Sequence, residues 1–117
     1  MKRKIIISGH SNGLGRALAE YYLRRGDAVL GLSRRRVAVE PSEKFQQHII
    51  DLSDSAAVAA LLSDGLIADF MHAADEVVLI NNAGTVQPSA MLGRQNDAEI
   101  ITSAALNITA PLLLANE

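Results

Sequence analysis

The stretch from Ile5 to Leu18, Ile-Ile-Ile-Ser-Gly-His-Ser-Asn-Gly-Leu-Gly-Arg-Ala-Leu, sets an apolar β-branched run, a glycine-rich turn and the opening of a helix in immediate succession. Ile5 to Ile7 suit a strand buried on both faces, because β-branched side chains pack well on a pleated surface. Glycines at 9, 13 and 15 let the backbone turn tightly and approach a ligand closely. The helix that follows opens with N–H groups that lack intrahelical partners, and its dipole favours an anion there. A strand, turn and helix in this order form a cradle for a diphosphate.

The spacing is Gly-x-x-x-Gly-x-Gly, not the G-x-G-x-x-G of the general dinucleotide fingerprint. It resembles the Thr-Gly-x-x-x-Gly-x-Gly motif of the short-chain dehydrogenase/reductase family, with Ser8 in place of the usual threonine. The resemblance implies an α/β, Rossmann-type doubly wound parallel sheet and a nicotinamide dinucleotide contacted by Gly9, Ser11, Asn12, Gly13, Leu14 and Gly15. A competing reading uses the same residues. Gly9-His10-Ser11-Asn12-Gly13 also fits G-x-S-x-G, the nucleophile elbow of α/β-hydrolases, which would make Ser11 a nucleophile. Against it, the elbow's oxyanion hole draws on a loop after an earlier strand, and only eight residues precede Gly9.

A chain of 117 residues is one small domain, roughly half of what a complete dinucleotide-dependent enzyme of this kind needs. Its net charge of −2 leaves no basic footprint, so neither nucleic acid nor a membrane surface is an expected partner. The absence of cysteine excludes disulfides, thiolate zinc sites and thiol catalysis, and no His/Asp/Glu spacing suggests a metal. Lys2-Arg3-Lys4 before the isoleucines could be taken for a signal peptide, but the apolar run ends after three residues at Ser8-Gly9. No run approaches the ~18 apolar residues needed to cross a bilayer, and a cytoplasmic location is expected.

From Leu14 the apolar positions Leu18, Tyr21 and Tyr22 recur at helical spacing up to Arg24-Arg25-Gly26, where basic residues and a glycine end the helix. Ala28 to Ser33 is a second buried strand, which completes a β-α-β unit. About twenty residues beyond the glycines, at the tip of such a strand, a NAD site keeps an acid for the ribose hydroxyls. Arg34 stands there, after Ser33 and before Arg35 and Arg36. An acid would repel a 2′-phosphate, whereas a guanidinium takes it in a bidentate, charge-assisted contact, so Ser33 and Arg34 point to NADP (NADPH). The plain alternative is a solvated run of loop charges.

Phe45 to Leu52 reads as a third strand ending in Asp51-Leu52, a pair that borders the adenine in the family resembled. Asp51 also has a local use, since it opens Asp51-Leu52-Ser53-Asp54, in which Ser53 or Asp54 would cap the next helix. Val58, Leu61, Leu62, Leu66, Phe70 and Ala73 then form one helical stripe, interrupted by Gly65, with His72 near its end as a partner for the helix dipole. The apolar strand Val77 to Ile80 follows.

Directly after it, Asn81-Asn82-Ala83-Gly84 matches the Asn-Asn-Ala-Gly motif of the family in all four residues. Amide side chains there would brace neighbouring strands, and two small residues would let a ribose lie against bare backbone, which assigns Asn82, Ala83 and Gly84 to the cofactor. Thr85 to Asp97 is expected as a loop near the substrate. Ala98 to Asn116 is helical by pattern, and Pro111 is expected to kink it or to push the preceding residues off ideal geometry. Leu106-Asn107-Ile108-Thr109-Ala110-Pro111 resembles the family's segment whose asparagine belongs to an Asn-Ser-Tyr-Lys tetrad, so Asn107 is the candidate catalytic residue. Taken bare, it reads as a core amide.

Residues 1–117 are thus expected to be an incomplete domain, the NADP-binding half of a short-chain reductase, with strand order 3-2-1-4 and the sheet truncated after the fourth strand and part of the following helix. No Tyr-x-x-x-Lys occurs in the sequence. The expectation is an NAD(P)-dependent oxidoreductase acting on a small carbonyl or alcohol substrate, forming a homo-oligomer, with this chain alone inactive. A noncatalytic NADP-binding or interaction module fits the same residues.

Overall fold

The computed structural model describes residues 2–11, 13–84 and 97–116. Of the loop expected from Thr85 to Asp97, residues 85–96 lie outside the described residues, as does Asn12, and Asp97 opens a helix instead.

Four parallel strands, β1 (Arg3–Ser8), β2 (Ala28–Ser33), β3 (Phe45–Ile49) and β4 (Glu76–Asn81), form one sheet in the order β3-β2-β1-β4. That is the 3-2-1-4 order expected of right-handed crossovers on a doubly wound sheet. Alternation along β1 sends Ile5 and Ile7 to one face and Ile6 to the other, and all three are buried. Helix α1 (Gly13–Arg24) covers the first face through Ala19 and Leu23, where Val29 and Val39 join Ile5 and Ile7. Leu30 and Leu32 lie with Ile6 on the other face, under α2 (Ser55–Ser63) and α3 (Leu66–Met71), which contribute Val58, Leu61, Ile67 and Phe70.

The single stripe expected from Val58 to Ala73 is two helices. Gly65 takes the left-handed conformation at φ 83° between α2 and α3, and Ile67 and Phe70 join Val58 and Leu61 in the same core. Asp54, not Ser53, caps α2, accepting the Ala57 N–H at 3.1 Å.

The last segment runs as α4 (Asp97–Ala104), a π-helical turn (Ala105–Thr109) and α5 (Ala110–Asn116). Pro111 has no N–H to donate and its ring would press on the Asn107 carbonyl one turn back. Widening the preceding turn relieves that contact, so of the two expected outcomes the residues before the proline leave ideal α geometry, as a π turn. Ala110 and Leu114 are buried against the face that carries Ile6.

Candidate functional site

The site gathers at the carboxyl ends of the strands, around the point between β1 and β4 where the strand order reverses. Open α/β sheets bind ligands at such a point, because the crossovers on either side diverge and leave a crevice. Gly9 follows β1 with φ 75°, and its N–H donates to the Leu32 carbonyl at 2.7 Å. A β-carbon on Gly9 would lie 2.9 Å from the Ala83 Cα, so the turn after β1 and the turn after β4 meet backbone to backbone.

Two side chains lock that meeting. The Ser8 hydroxyl, buried at the end of β1, accepts the Ala83 N–H at 3.1 Å, and the Asn82 amide donates to the Gly9 carbonyl at 3.0 Å. Gly15 is buried beneath them, and a β-carbon there would overlap the Gly9 carbonyl oxygen and crowd the Asn82 amide. The start of α1 is thereby seated against the glycine turn. Gly13 at the helix start is exposed, with open space where its side chain would be, and Leu14 beside it is 67% exposed. The donors of the first helical turn sit under this open ground, which fits a diphosphate.

Asn81 points the other way, its amide reaching the Pro111 carbonyl at 3.5 Å. Asn107 stands in the π turn, and a β-carbon on Gly84 would lie 3.0 Å from its side-chain oxygen. The last helical segment is thus brought onto the Asn-Asn-Ala-Gly turn, and the candidate catalytic amide lies beside the candidate cofactor residues.

At the end of β2 the Ser33 hydroxyl donates to the Arg35 carbonyl at 2.8 Å and accepts the Arg35 N–H at 3.2 Å. Ser33 therefore shapes the turn that presents Arg34. Arg34, Arg35 and Arg36 are all exposed, and among the described residues none of them forms an ion pair within 4.0 Å. Three exposed guanidiniums are thereby gathered at this strand tip.

Asp51 lies beyond the end of β3 and accepts both the Ser53 hydroxyl at 2.6 Å and the Ser53 N–H at 3.0 Å. These bonds, the hydroxyl first and the N–H second, hold its carboxyl below the ordinary carboxylate range; desolvation opposes them and the charge of Arg34 adds a smaller pull. The local use of Asp51 is present in full. Leu52 is buried in the core with Val58 and Leu61, so its side chain faces away from the crevice. Ser11 is half-buried, and among the described residues it bonds no histidine or carboxylate; the adjacent His10 turns to Gln47 instead. The nucleophile-elbow reading gains nothing from this geometry.

His10, Gln47 and Arg16 are the residues that sequence reasoning passed over. His10 is fully buried and bonds the Gln47 amide, which in turn holds Val37, while Arg16 donates to the Ala38 carbonyl at 3.2 Å. The available signal was Gly31, a glycine inside an otherwise apolar strand, which marks a close approach by another group.

A family model of the short chain dehydrogenases matches residues 3–117. The chain belongs to the short-chain dehydrogenase/reductase family. Among its relatives, a benzil reductase ((S)-benzoin forming) of Bacillus subtilis (strain 168) is 36% identical over 110 residues, covering 94% of this chain and 45% of that protein. A short-chain dehydrogenase/reductase from Burkholderia vietnamiensis of known structure superposes with a TM-score of 0.92 at 40% identity, over 98% of this chain and 55% of that one. A 4-hydroxyisoleucine dehydrogenase complexed with NADH gives 0.79 at 26% identity, over 98% and 47%. The chain spans about half the length of the curated relatives it matches. Among the described residues no helix is long and apolar enough to cross a membrane, and no group of three or more His, Cys, Asp or Glu is placed to hold a metal.

Proposed function

We propose that this chain is the cofactor-binding part of an NADP-dependent short-chain reductase that interconverts a small carbonyl compound and its alcohol. The observation that carries the cofactor choice is the exposed, unpaired Arg34 on the turn shaped by Ser33, where a NAD site would hold an acid. Arg34, assisted by Arg35, would take the 2′-phosphate; the first turn of α1 at Gly13 and Leu14 would take the diphosphate; and the bare backbone of Ala83 and Gly84 would lie under a ribose. Asp51 and the backbone at Leu52 would border the adenine.

Bound NADPH would supply a hydride from its nicotinamide to the carbonyl carbon. The carbonyl oxygen must then gain a proton, and the Tyr-x-x-x-Lys pair that serves the family is absent from these 117 residues. Asn107, beside Gly84, would hold a water of that proton relay. Similarity to a protein named as a benzil reductase makes an aromatic diketone the first substrate to assay in the complete protein.

In the complete protein, the double variant Arg34→Ala, Arg35→Ala is expected to weaken NADP about ten- to a hundredfold more than NAD, as loss of a charge-assisted contact of roughly 1.5–3 kcal/mol requires. Titration calorimetry with both cofactors measures it, and equal losses for the two overturn the NADP assignment. The isolated 117-residue chain is expected to bind cofactor without turnover, because the Tyr-x-x-x-Lys pair that would supply the proton is not in its sequence. Steady NADPH consumption with benzil, by protein free of intact reductase, would refute that.

A further inference from the structure

Gly31 and Gln47 are register partners on β2 and β3, so their side-chain positions share the face of the sheet that α1 covers. Gly31 leaves its place empty, and the imidazole of His10 fills it: a β-carbon there would overlap the ring. From the glycine turn after β1, His10 thus reaches across β2 to β3, where it meets Phe45 edge to face at 5.7 Å and places Nε2 2.8 Å from Gln47 Oε1.

The orientation of Gln47 follows from its other bonds. Its Oε1 accepts the Val37 N–H at 2.9 Å and its Nε2 donates to the Val37 carbonyl at 2.7 Å, so the amide closes on both backbone groups of one residue. His10 Nε2 must then be the donor to Oε1, which assigns its proton to Nε2. Val37 is the residue immediately after Arg36. Ser33 fixes the other end of the arginine arch, Arg16 holds Ala38, and Val39 is buried in the core.

We propose that His10 and Gln47 are positioning residues which, through the two hydrogen bonds to Val37, hold the Arg34–Arg36 arch ready for a 2′-phosphate and tie it to the glycine turn that takes the diphosphate. Exposed arginines lose conformational freedom when they grip a ligand, and a backbone already set in place reduces that loss. If the arch adopts its competent form only part of the time, the apparent affinity for the 2′-phosphate falls by that fraction, while a ligand lacking this phosphate is little affected. The inference rests on the NADP reading above.

The test uses the complete protein and two probes that differ only in the 2′-phosphate, 2′,5′-ADP and 5′-AMP, with amide exchange at Val37 as a second readout. Gln47→Met keeps the length and removes both bonding ends; it is expected to weaken 2′,5′-ADP about tenfold, to leave 5′-AMP within about twofold, and to abolish protection of the Val37 amide. His10→Phe keeps the ring against Phe45 and removes only the donor, so a smaller loss of the same selectivity is expected; this variant decides the matter should Gln47→Met not fold. The Arg34→Ala, Arg35→Ala variant runs beside them. If it loses selectivity while Gln47→Met and His10→Phe keep it, the positioning role is overturned and the NADP reading stands. If neither the arginine nor the Gln47 variant loses it, the NADP reading falls and the inference with it. An equal loss for both probes in Gln47→Met also overturns the proposal, because a merely structural residue would act that way.

Discussion

A side chain at Gly31 would displace the His10 ring, and without that ring in place the Gln47 amide would lose a donor and the arginine arch a support. Single residues on and beside the strands act in this manner, each closing a bond whose other end lies on a different segment of the chain: Ser8 with Ala83, Asn82 with Gly9, Gln47 with Val37. Asp51 is the local exception, since it serves its own turn. Its carboxyl titrates below the ordinary range in the folded chain because Ser53 donates to the charged form. A lowered folded-state pKa stabilises the native state above the unfolded value of about 3.9, and the contribution is lost as the pH falls through the lower folded value. Asp51→Asn is therefore expected to cost at most about 1 kcal/mol at pH 7, a figure kept small by solvent exposure. Urea unfolding of both proteins at several pH values checks the sign: the difference should shrink below pH ~3.9 and close in stronger acid.

Among the elements, α2 depends most on its cap. It has nine residues, no basic side chain in its last turn and no acidic side chain in its first, so the macrodipole finds no opposing charge within it. Asp54 Oδ1 on the Ala57 N–H supplies both a satisfied donor and the missing negative charge at the N-terminus. Asp54→Ala is expected to destabilise the fold by about 1 kcal/mol. Denaturant midpoints measure this, and because α2 carries Val58 and Leu61 into the core, the whole transition should shift without a separate early phase. The π turn belongs to the same scale. It reconciles Pro111 with a continuing helical path and sets Asn107 facing Gly84, so one backbone adjustment serves both geometry and site.

For the whole molecule the decisive feature is what the sheet leaves open. Among the described residues β4 pairs only with β1, and Val77 on it is 40% exposed, while Ile101 and Leu112 on the last helical segments are 69% and 66% exposed. An apolar, β-branched strand with one free edge invites pairing with another chain, and contiguous apolar helix surface invites burial. The isolated 117-residue chain is expected to self-associate through β4 or the final helix, or to be stable only beside further chain that covers them. Light scattering over a concentration series tests it. A soluble monomer at high micromolar concentration, with the Val77 to Ile80 amides protected from exchange, would show that the edge is closed from within.

Periodicity was enough to read four strands, α1 and the strand order from the sequence, although β3 ends at Ile49 and not at Leu52, because a parallel sheet buried on both faces leaves few alternatives for apolar runs such as Ile5 to Ile7; the family came from the resemblance of the glycine turn and of Asn81 to Gly84 to its motifs. The same local grammar left two outcomes open at both Gly65 and Pro111. A glycine inside an apolar stripe is compatible with one bent helix or two short ones, and only the core positions of Ile67 and Phe70 chose the second. Likewise, Pro111 can kink a helix or widen the turn before it, and the packing of Ala110 and Leu114 on the sheet chose the widening. The His10 to Gln47 bridge was out of reach for the same reason. Its members are 37 residues apart and meet over a glycine on a third segment, and a hydrogen bond across that distance leaves no period in the chain.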